Sequence, residues 1–325
     1  MRLQRIHIKN FKSIADVEIV SPNPFTVFVG PNGSGKSNIF EALEFIATDV
    51  PNKHRLFGGN EYLNHRTKVN DSKYHLQLDF EGGRENCIWK QGDYLDNNGD
   101  KECKIVEVSY IQSEEYFRKI SQKFSRIFIG KQDLLKIVYS DDSKLNLAAT
   151  NLEKVLKRIL KDESKREELI DWLQLFIPEF KDLQISSSEL SGTDTLIIYE
   201  KTTDKPFTKE LISNGTYHIL CLLSAVYQSD EPQFLCIEEP ENGLNPYVIR
   251  KMVELFRNAC EEKGHHIWLN THSQTLVECL KPHEVVVVDK INGETKVTQP
   301  KDLNLHGLDM AEAWLSGILR GGTPW

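Results

Sequence analysis

Residues 25–46 constrain the fold more than any other stretch of this chain. Phe25 to Val29, apolar except for Thr26, has the pattern of a buried strand. Gly30-Pro31-Asn32-Gly33-Ser34-Gly35-Lys36-Ser37 follows and fits G-x-x-x-x-G-K-[ST], a loop that wraps nucleotide phosphates. Asn38 to Ile46 then reads as a helix, with Ile39, Leu43 and Ile46 on one face. Strand, glycine-rich turn and helix form the context this loop needs. The glycines let backbone N–H groups turn inward and form an anion nest at the positive end of a helix. Asn32, Gly33, Ser34, Gly35 and Asn38 are therefore candidate phosphate contacts. Lys36 would reach the β- and γ-phosphates, and the Ser37 hydroxyl would ligate Mg²⁺.

The bulk numbers fit a globular protein with a real core: 325 residues, 39% hydrophobic and 27% charged. No apolar run approaches the length of a membrane span, so no membrane partner is expected. The opening MRLQRIHIKNF alternates charged and apolar residues, as a strand does and a signal peptide does not. Cys87, Cys103, Cys221, Cys236, Cys260 and Cys279 are scattered without a C-x-x-C pair, which predicts reduced thiols in a cytoplasmic protein. Cys221 and Cys236 lie in apolar runs and read as core. The net charge of -8 argues against a chain that lives on nucleic-acid backbone, although Lys53-His54-Arg55 and Arg66 to Lys68 are locally basic.

Strand-like segments continue at Tyr74 to Phe80, Glu85 to Lys90 and Ile105 to Ile111, with turn signals at Gly82-Gly83 and Asn97-Asn98-Gly99. Residues 114–177 read as helical, with Leu152, Val155, Leu156 and Ile159 on one face and Leu169, Trp172, Leu173 and Phe176 on another. A strand at Thr195 to Glu200 and a nearly all-apolar helix at Tyr217 to Tyr227 come next. Strand and helix then alternate to Asp289. No heptad pattern runs beyond a few turns, so no long coiled-coil arm is expected, and the stretch after Asp289 is too short for a nuclease domain.

Three further segments carry chemistry. Phe234-Leu235-Cys236-Ile237 is an apolar strand ending in Glu238-Glu239. Beside a phosphate-loop strand, the first acid would serve Mg²⁺ and the second, beyond the strand end, would polarise an attacking water. Glu238 is thus the metal-side candidate and Glu239 the general base. Ile267-Trp268-Leu269-Asn270-Thr271-His272-Ser273 is a strand ending in a polar turn, where His272 could hydrogen-bond a γ-phosphate or the attacking water. Leu211-Ile212-Ser213-Asn214-Gly215-Thr216 opens the apolar helix; Ser213 would cap it and Gly215 would let a phosphate approach its N-terminus.

These segments, in this order and over nearly the whole chain, resemble ABC-class ATPases of the RecF and SMC type. Asn10-Phe11-Lys12-Ser13 is similar to that family's first-strand motif, which places Lys12 near the nucleotide. Ile212 to Thr216 resembles the signature in its Ser-x-Gly-Thr form. Glu239-Pro240-Glu241-Asn242-Gly243-Leu244-Asn245-Pro246 resembles the Walker B and D-loop run, and Thr271-His272-Ser273 the switch histidine. The family's Q-loop glutamine, which contacts nucleotide and metal, is best matched by Gln112, with Gln132 as the alternative. Glu238 stands where the family more often has Asp.

The resemblance implies an α/β ABC-ATPase head, with a mixed core sheet around the P-loop helix, an antiparallel β subdomain and a helical lobe. It implies one domain over 1–325, divided into a β-rich lobe at 1–113, a helical lobe at 114–194 and a C-terminal lobe at 195–325. ATP and Mg²⁺ are the implied cofactors. A homodimer or higher oligomer around ATP is the implied assembly, with Ser213 and Gly215 of one copy closing over nucleotide held by Lys36 of the other. The head-only pattern and the closing Trp314-Leu315-Ser316-Gly317 resemble the ATPases of prokaryotic defence operons, such as PtuA of Septu and the ATPase half of OLD nucleases. That branch implies a separate nuclease or TOPRIM-like effector. Direct DNA binding, as in a RecF-like repair clamp, and an ATP-dependent scaffold with little turnover are the alternatives.

Overall fold

The computed structural model describes residues 3–48, 53–63, 73–80, 83–95, 101–110, 122–131, 133, 136, 142–188, 192–301, 303, 305 and 307–319. The fold is α/β, and the chain forms two compact units, Met1–Phe124 with His266–Trp325, and Ser125–His265. The first unit therefore draws on both ends of the sequence.

In that unit β1 (Leu3–Phe11) and β2 (Ile14–Val20) form a hairpin, with Phe11 opposite Ile14. β3 (Phe25–Val29) follows. β4 (Lys73–Phe80), β5 (Gly83–Leu95) and β6 (Lys101–Tyr110) extend the hairpin into a five-stranded antiparallel sheet, ordered β2-β1-β4-β5-β6. A second, mixed sheet is built around β3. On one side β3 pairs in parallel with β12 (His266–Thr271), Val29 opposite Thr271. On the other it pairs in parallel with β13 (Val285–Ile291), and β14 (Glu294–Thr298) turns back antiparallel on β13. All five residues of β3 are buried, as expected for a strand with neighbours on both edges.

The helix α1 (Lys36–Ala47) leaves the end of β3, and the short helix α2 (Asn60–Leu63) comes later in the chain. The α1 pattern promises one apolar face of Ile39, Leu43 and Ile46, but Phe40, Ala42, Phe45 and Ala47 are buried as well. The helix is wrapped rather than half-covered, because Phe45 packs against Phe11 and Tyr74 while Phe40 meets Phe28 edge-on at 5.3 Å. Trp268 of β12 continues that cluster against Phe28. These rings fix the direction in which α1 leaves the loop.

The second unit begins with β7 (Phe124–Ile127), inside the stretch expected to be helical. All four residues of β7 are buried, yet Ser125 and Arg126 interrupt the apolar run, and four residues are too few for a period. The helices α3 (Leu152–Ile159) and α4 (Glu163–Phe176) fall where the apolar faces place them. β8 (Phe180–Ser187), missed by the sequence reading because only Phe180 and Leu183 are buried on it, joins β9 (Asp194–Glu200) and β10 (Phe207–Thr208) in an antiparallel sheet. The helix α5 (Asn214–Tyr227) is buried from His218 to its end, as its composition demands. β11 (Phe234–Glu238) lies beside β7, and α6 (Pro246–Glu262) follows with Asn245 as its cap, accepting from the Val248 N–H at 3.0 Å.

Two histidines in this unit are held neutral. Burial pushes both His218 and His265 down to about 4. The neutral state of His265 is also shaped by its partners: Nε2–H donates to the Val226 carbonyl at 3.2 Å, and Nδ1 accepts from the Gln233 N–H at 3.4 Å. Because the folded state resists protonation, the unfolded chain binds more protons below pH about 6.5. Stability contributed by the two rings is present above that pH and is lost as pH falls toward 4, on the order of 3 kcal/mol for each. Urea midpoints should drop between pH 7 and pH 4.5, and His265→Gln should flatten the fall; an unchanged slope would show that other groups control it.

Candidate functional site

The loop Gly30–Ser37 sits at the end of β3, where the strand hands over to α1. Gly35 is the helix cap, at φ 105 and ψ 13, and it offers no side chain to the first-turn N–H groups. A helix of twelve residues with such an uncapped start is a site for an anion. Ser34 is 1% exposed, and its hydroxyl has no hydrogen-bond partner among the described residues. The loop's Asn32 and Gly33 are exposed, whereas Lys36 is buried. The Lys36 ammonium folds back onto its own loop, donating to the Gly30 carbonyl at 2.7 Å and the Pro31 carbonyl at 3.1 Å. A buried cation folded onto a glycine-rich loop at the start of a helix fits a polyphosphate.

The underside of the loop is braced by residues far away in sequence. The Asn38 amide donates to the Ser13 hydroxyl at 2.7 Å, Ser13 bonds Thr295 of β14 at 2.6 Å, and Thr295 donates to the Ser34 carbonyl at 2.8 Å. Gly35 owes its identity to this brace: a Cβ there would lie 2.1 Å from Thr295 Oγ1 and 2.7 Å from Ser13 Oγ. Thr295 was invisible to motif reading, since it matches no pattern. Asn38 is thereby engaged under the loop. Lys12 forms an ion pair with Glu41 of α1, which ties its turn to that helix.

The parallel register of β3 and β12 decides where His272 goes. With Val29 opposite Thr271, the residues following both strands emerge side by side. His272 Nδ1 then lies 3.5 Å from Lys36 Nζ. Asn270, one residue before the strand end, brings its amide to 3.5 Å from the Ser37 hydroxyl. Ser273 caps the short helix α7 (Gln274–Glu278), which holds the polar turn in place. The first unit thus gathers Lys36, Ser37, Asn270 and His272 at one strand end.

In the second unit the two acids at the end of β11 part company. Glu238 is 2% exposed, and its Oε1 accepts from Arg126 Nε of β7 at 2.6 Å. Glu239 turns out of the strand with φ 49, a left-handed conformation uncommon for a side chain of this size. Such strain persists where the surroundings enforce it and is concentrated at functional positions. The enforcing contacts are close by: Asn242 donates through its backbone N–H to the Glu239 carbonyl at 3.1 Å, and through its side-chain amide to Glu239 Oε2 at 2.8 Å.

Ser213 caps α5 as expected, accepting from the Thr216 N–H at 3.0 Å. Gly215 has an additional reason to be glycine: a Cβ would stand 2.8 Å from the Gly243 carbonyl oxygen. The start of α5 and the turn after Glu239 are therefore in backbone contact. Gln112 and its alternative Gln132 both fall outside the described residues. Among the described residues no group of three or more His, Cys, Asp or Glu side chains could hold a metal, and no helix is long and apolar enough to cross a membrane.

Comparisons with known proteins give a family and a fold. The profile of a family described as an AAA domain matches residues 5–210. The chromosome partition protein Smc of Methanocaldococcus jannaschii is 28% identical over 218 residues, covering 58% of this chain and 17% of the relative. The DNA repair protein RecN of Aquifex aeolicus is 25% identical over 70% of this chain and 42% of its own length. The DNA replication and repair protein RecF of Shewanella pealeana is 26% identical over 54% of this chain and 51% of its own. The chain thus spans about half or less of the length of these curated relatives. Among solved structures, an SMC head bound to the C-terminal winged-helix domain of ScpA superposes with a TM-score of 0.60 at 14% identity, covering 96% of this chain and 100% of that one. The SMC head of Thermotoga maritima gives 0.51 at 17% identity over 92% and 99%. At these identities the likeness is one of fold.

Proposed function

This chain belongs to the AAA domain family, and we propose that it works as an ATP-binding and ATP-hydrolysing switch that closes as a dimer around its nucleotide. The observation that carries this reading is the meeting of Lys36 and His272 at a helix start without a side-chain cap, in a loop whose buried Ser34 hydroxyl has no hydrogen-bond partner among the described residues. In this reading the Lys36 ammonium exchanges the Gly30 and Pro31 carbonyls for β- and γ-phosphate oxygens. His272 donates to the phosphoryl group as it transfers. Glu239 accepts a proton from the attacking water. Ser213 and Gly215, at the start of α5, face the nucleotide of a second copy, so that binding and quaternary state are coupled.

Ser37 offers magnesium a hard hydroxyl oxygen, as the ion prefers. Bound magnesium would neutralise charge on the phosphates. Glu238, the acid that the sequence pattern gives to the metal, is engaged by Arg126.

A protein partner is part of the proposal, supported by the SMC-type head solved in complex with a domain of ScpA. Its finer form, control of a separate nuclease in prokaryotic defence, rests on the resemblance of the motifs to that branch. The test is direct. The purified chain should bind a fluorescent ATP analogue, hydrolyse ATP, and double its mass by light scattering when ATP is added. Failure to bind the analogue at millimolar concentration would overturn the reading. Hydrolysis measured with and without DNA separates a clamp, stimulated by DNA, from an effector switch indifferent to it.

A further inference from the structure

The start of α5 carries the Ser213–Gly215 turn, yet none of residues 209–217 is buried. The tight helical turn Lys209–Leu211 just before it leaves Leu211 67% exposed. Burial on α5 begins only at His218. Polar contacts to the segment that opens α3 hold this end instead. The Tyr217 hydroxyl donates to the Ala149 carbonyl at 3.1 Å. The Lys209 ammonium pairs with Glu153 of α3 at 2.7 Å and lies 4.8 Å from the centroid of the Tyr217 ring. A cation over an aromatic face is attracted by the ring's quadrupole, so Lys209 grips Tyr217 and α3 together.

The acceptor of the Tyr217 hydroxyl is itself held with care. Ala149 is fully buried at φ 56, a left-handed backbone that a residue with a Cβ adopts at a cost. Its surroundings enforce that conformation. The Asn146 carbonyl accepts from the Ala149 N–H at 2.9 Å, and Asn146 Oδ1 accepts from the Thr150 N–H at 3.0 Å. The Asn146 amide donates to the Thr150 hydroxyl at 2.7 Å, and Asn151 Oδ1 accepts from the Asn146 N–H at 3.0 Å. Strain fixed this firmly is concentrated at positions with a task. On its other side the first turn of α5 meets the Gly243 carbonyl through Gly215. We infer that Tyr217 is a positioning residue: with Lys209 it ties the Ser213–Gly215 turn to the start of α3, so that the turn is in place when a second copy presents its nucleotide. Tyr217 acts through the turn, not on the nucleotide. Such preorganisation acts on assembly, since a turn that wanders in the free chain must be ordered again at closure. The inference rests on the dimer reading above, and the two can fail separately.

The test separates assembly from nucleotide binding on the full chain. The readouts are affinity for a fluorescent ATP analogue, hydrolysis at saturating ATP across a protein dilution series, and the urea midpoint. Tyr217→Phe removes the hydroxyl and keeps the ring under Lys209. Analogue affinity should stay within about twofold of parental, while the protein concentration for half-maximal hydrolysis should rise about fivefold, the worth of one hydrogen bond. The plateau rate at high protein concentration should be parental. An unchanged half-maximal concentration would overturn the inference. So would a loss of analogue affinity that tracks a fall in urea midpoint, the mark of a merely structural residue. Lys209→Met should raise the half-maximal concentration as Tyr217→Phe does. Lys209→Arg, which keeps a cation beside Glu153 and over the ring, should hold the parental value; equal effects of Met and Arg would defeat the inference. Should Tyr217→Phe fail to fold, the two lysine variants decide alone. Parental hydrolysis per chain that is independent of protein concentration would remove the dimer reading, and the inference with it. Absence of analogue binding by the unsubstituted chain would remove the nucleotide reading, and both with it.

Discussion

Glu239→Gln is expected to abolish turnover while leaving ATP binding intact. The substitution keeps the shape of the side chain and removes only its capacity to take a proton. The carboxylate is placed by a backbone that carries strain to place it: Glu239 sits at φ 49, and Asn242 anchors both its carbonyl and its Oε2. A general base in this role contributes about 10²- to 10⁴-fold, so steady-state hydrolysis should fall by that factor. Nucleotide would then enter and stay, and the closed dimer should accumulate in ATP, visible as a doubled mass by light scattering. Hydrolysis at the parental rate would remove Glu239 from the role of base and leave the phosphate loop untouched.

The second large effect is expected for Gly35→Ala. A methyl group there is opposed twice. The backbone at φ 105 is strained for any L side chain, and the new Cβ would lie 2.1 Å from Thr295 Oγ1 and 2.7 Å from Ser13 Oγ. Relief requires breaking the Ser13–Thr295 bond beneath the loop, which also releases the Ser34 carbonyl from Thr295. Stability should fall by about 2–4 kcal/mol, from backbone strain and overpacking together, and analogue binding should be lost with it. Gly33→Ala provides the contrast. Gly33 also has a positive φ, 76, but a Cβ there would meet nothing within 4 Å. Its cost should be backbone strain alone, about 1 kcal/mol. Equal urea midpoints for the two variants would mean that the brace under the loop does not matter.

Much of the site was legible because its parts are local. The phosphate loop needs only its own glycines, its lysine and the flanking strand and helix. The cap at Ser213 depends on one side chain and an N–H three residues on. The buried strands β3 and β11 announce themselves by apolar runs, interrupted only by Thr26 in β3 and ended by Glu238 in β11. What escaped was equally physical. β7 holds a buried arginine, and a charged residue in a short strand reads as surface. The strong apolar faces of α3 and α4 make the whole of 114–177 read as helical, and β7 has no face to contradict them. Thr295 and Asn242 are polar residues of ordinary type, whose roles come only from what lies against them.

The sequence by itself determined that this chain has a glycine-rich turn ending in Lys-Ser between a strand and a helix, a pair of acids at a strand end and a histidine after another. Those features follow from periodicity, backbone permissiveness and capping, which act over a few residues. Only the tertiary structure decided the partners. Lys36 and His272 are 236 residues apart, Ser13 and Thr295 are 282 apart, and Arg126 and Glu238 are 112 apart. Strand order and register bring these pairs together, and both are set by the burial of whole faces rather than by any one residue. The same local pattern that marks Glu238 as a metal-side acid is compatible with a guanidinium or a cation beside it; the neighbouring strand supplied the guanidinium.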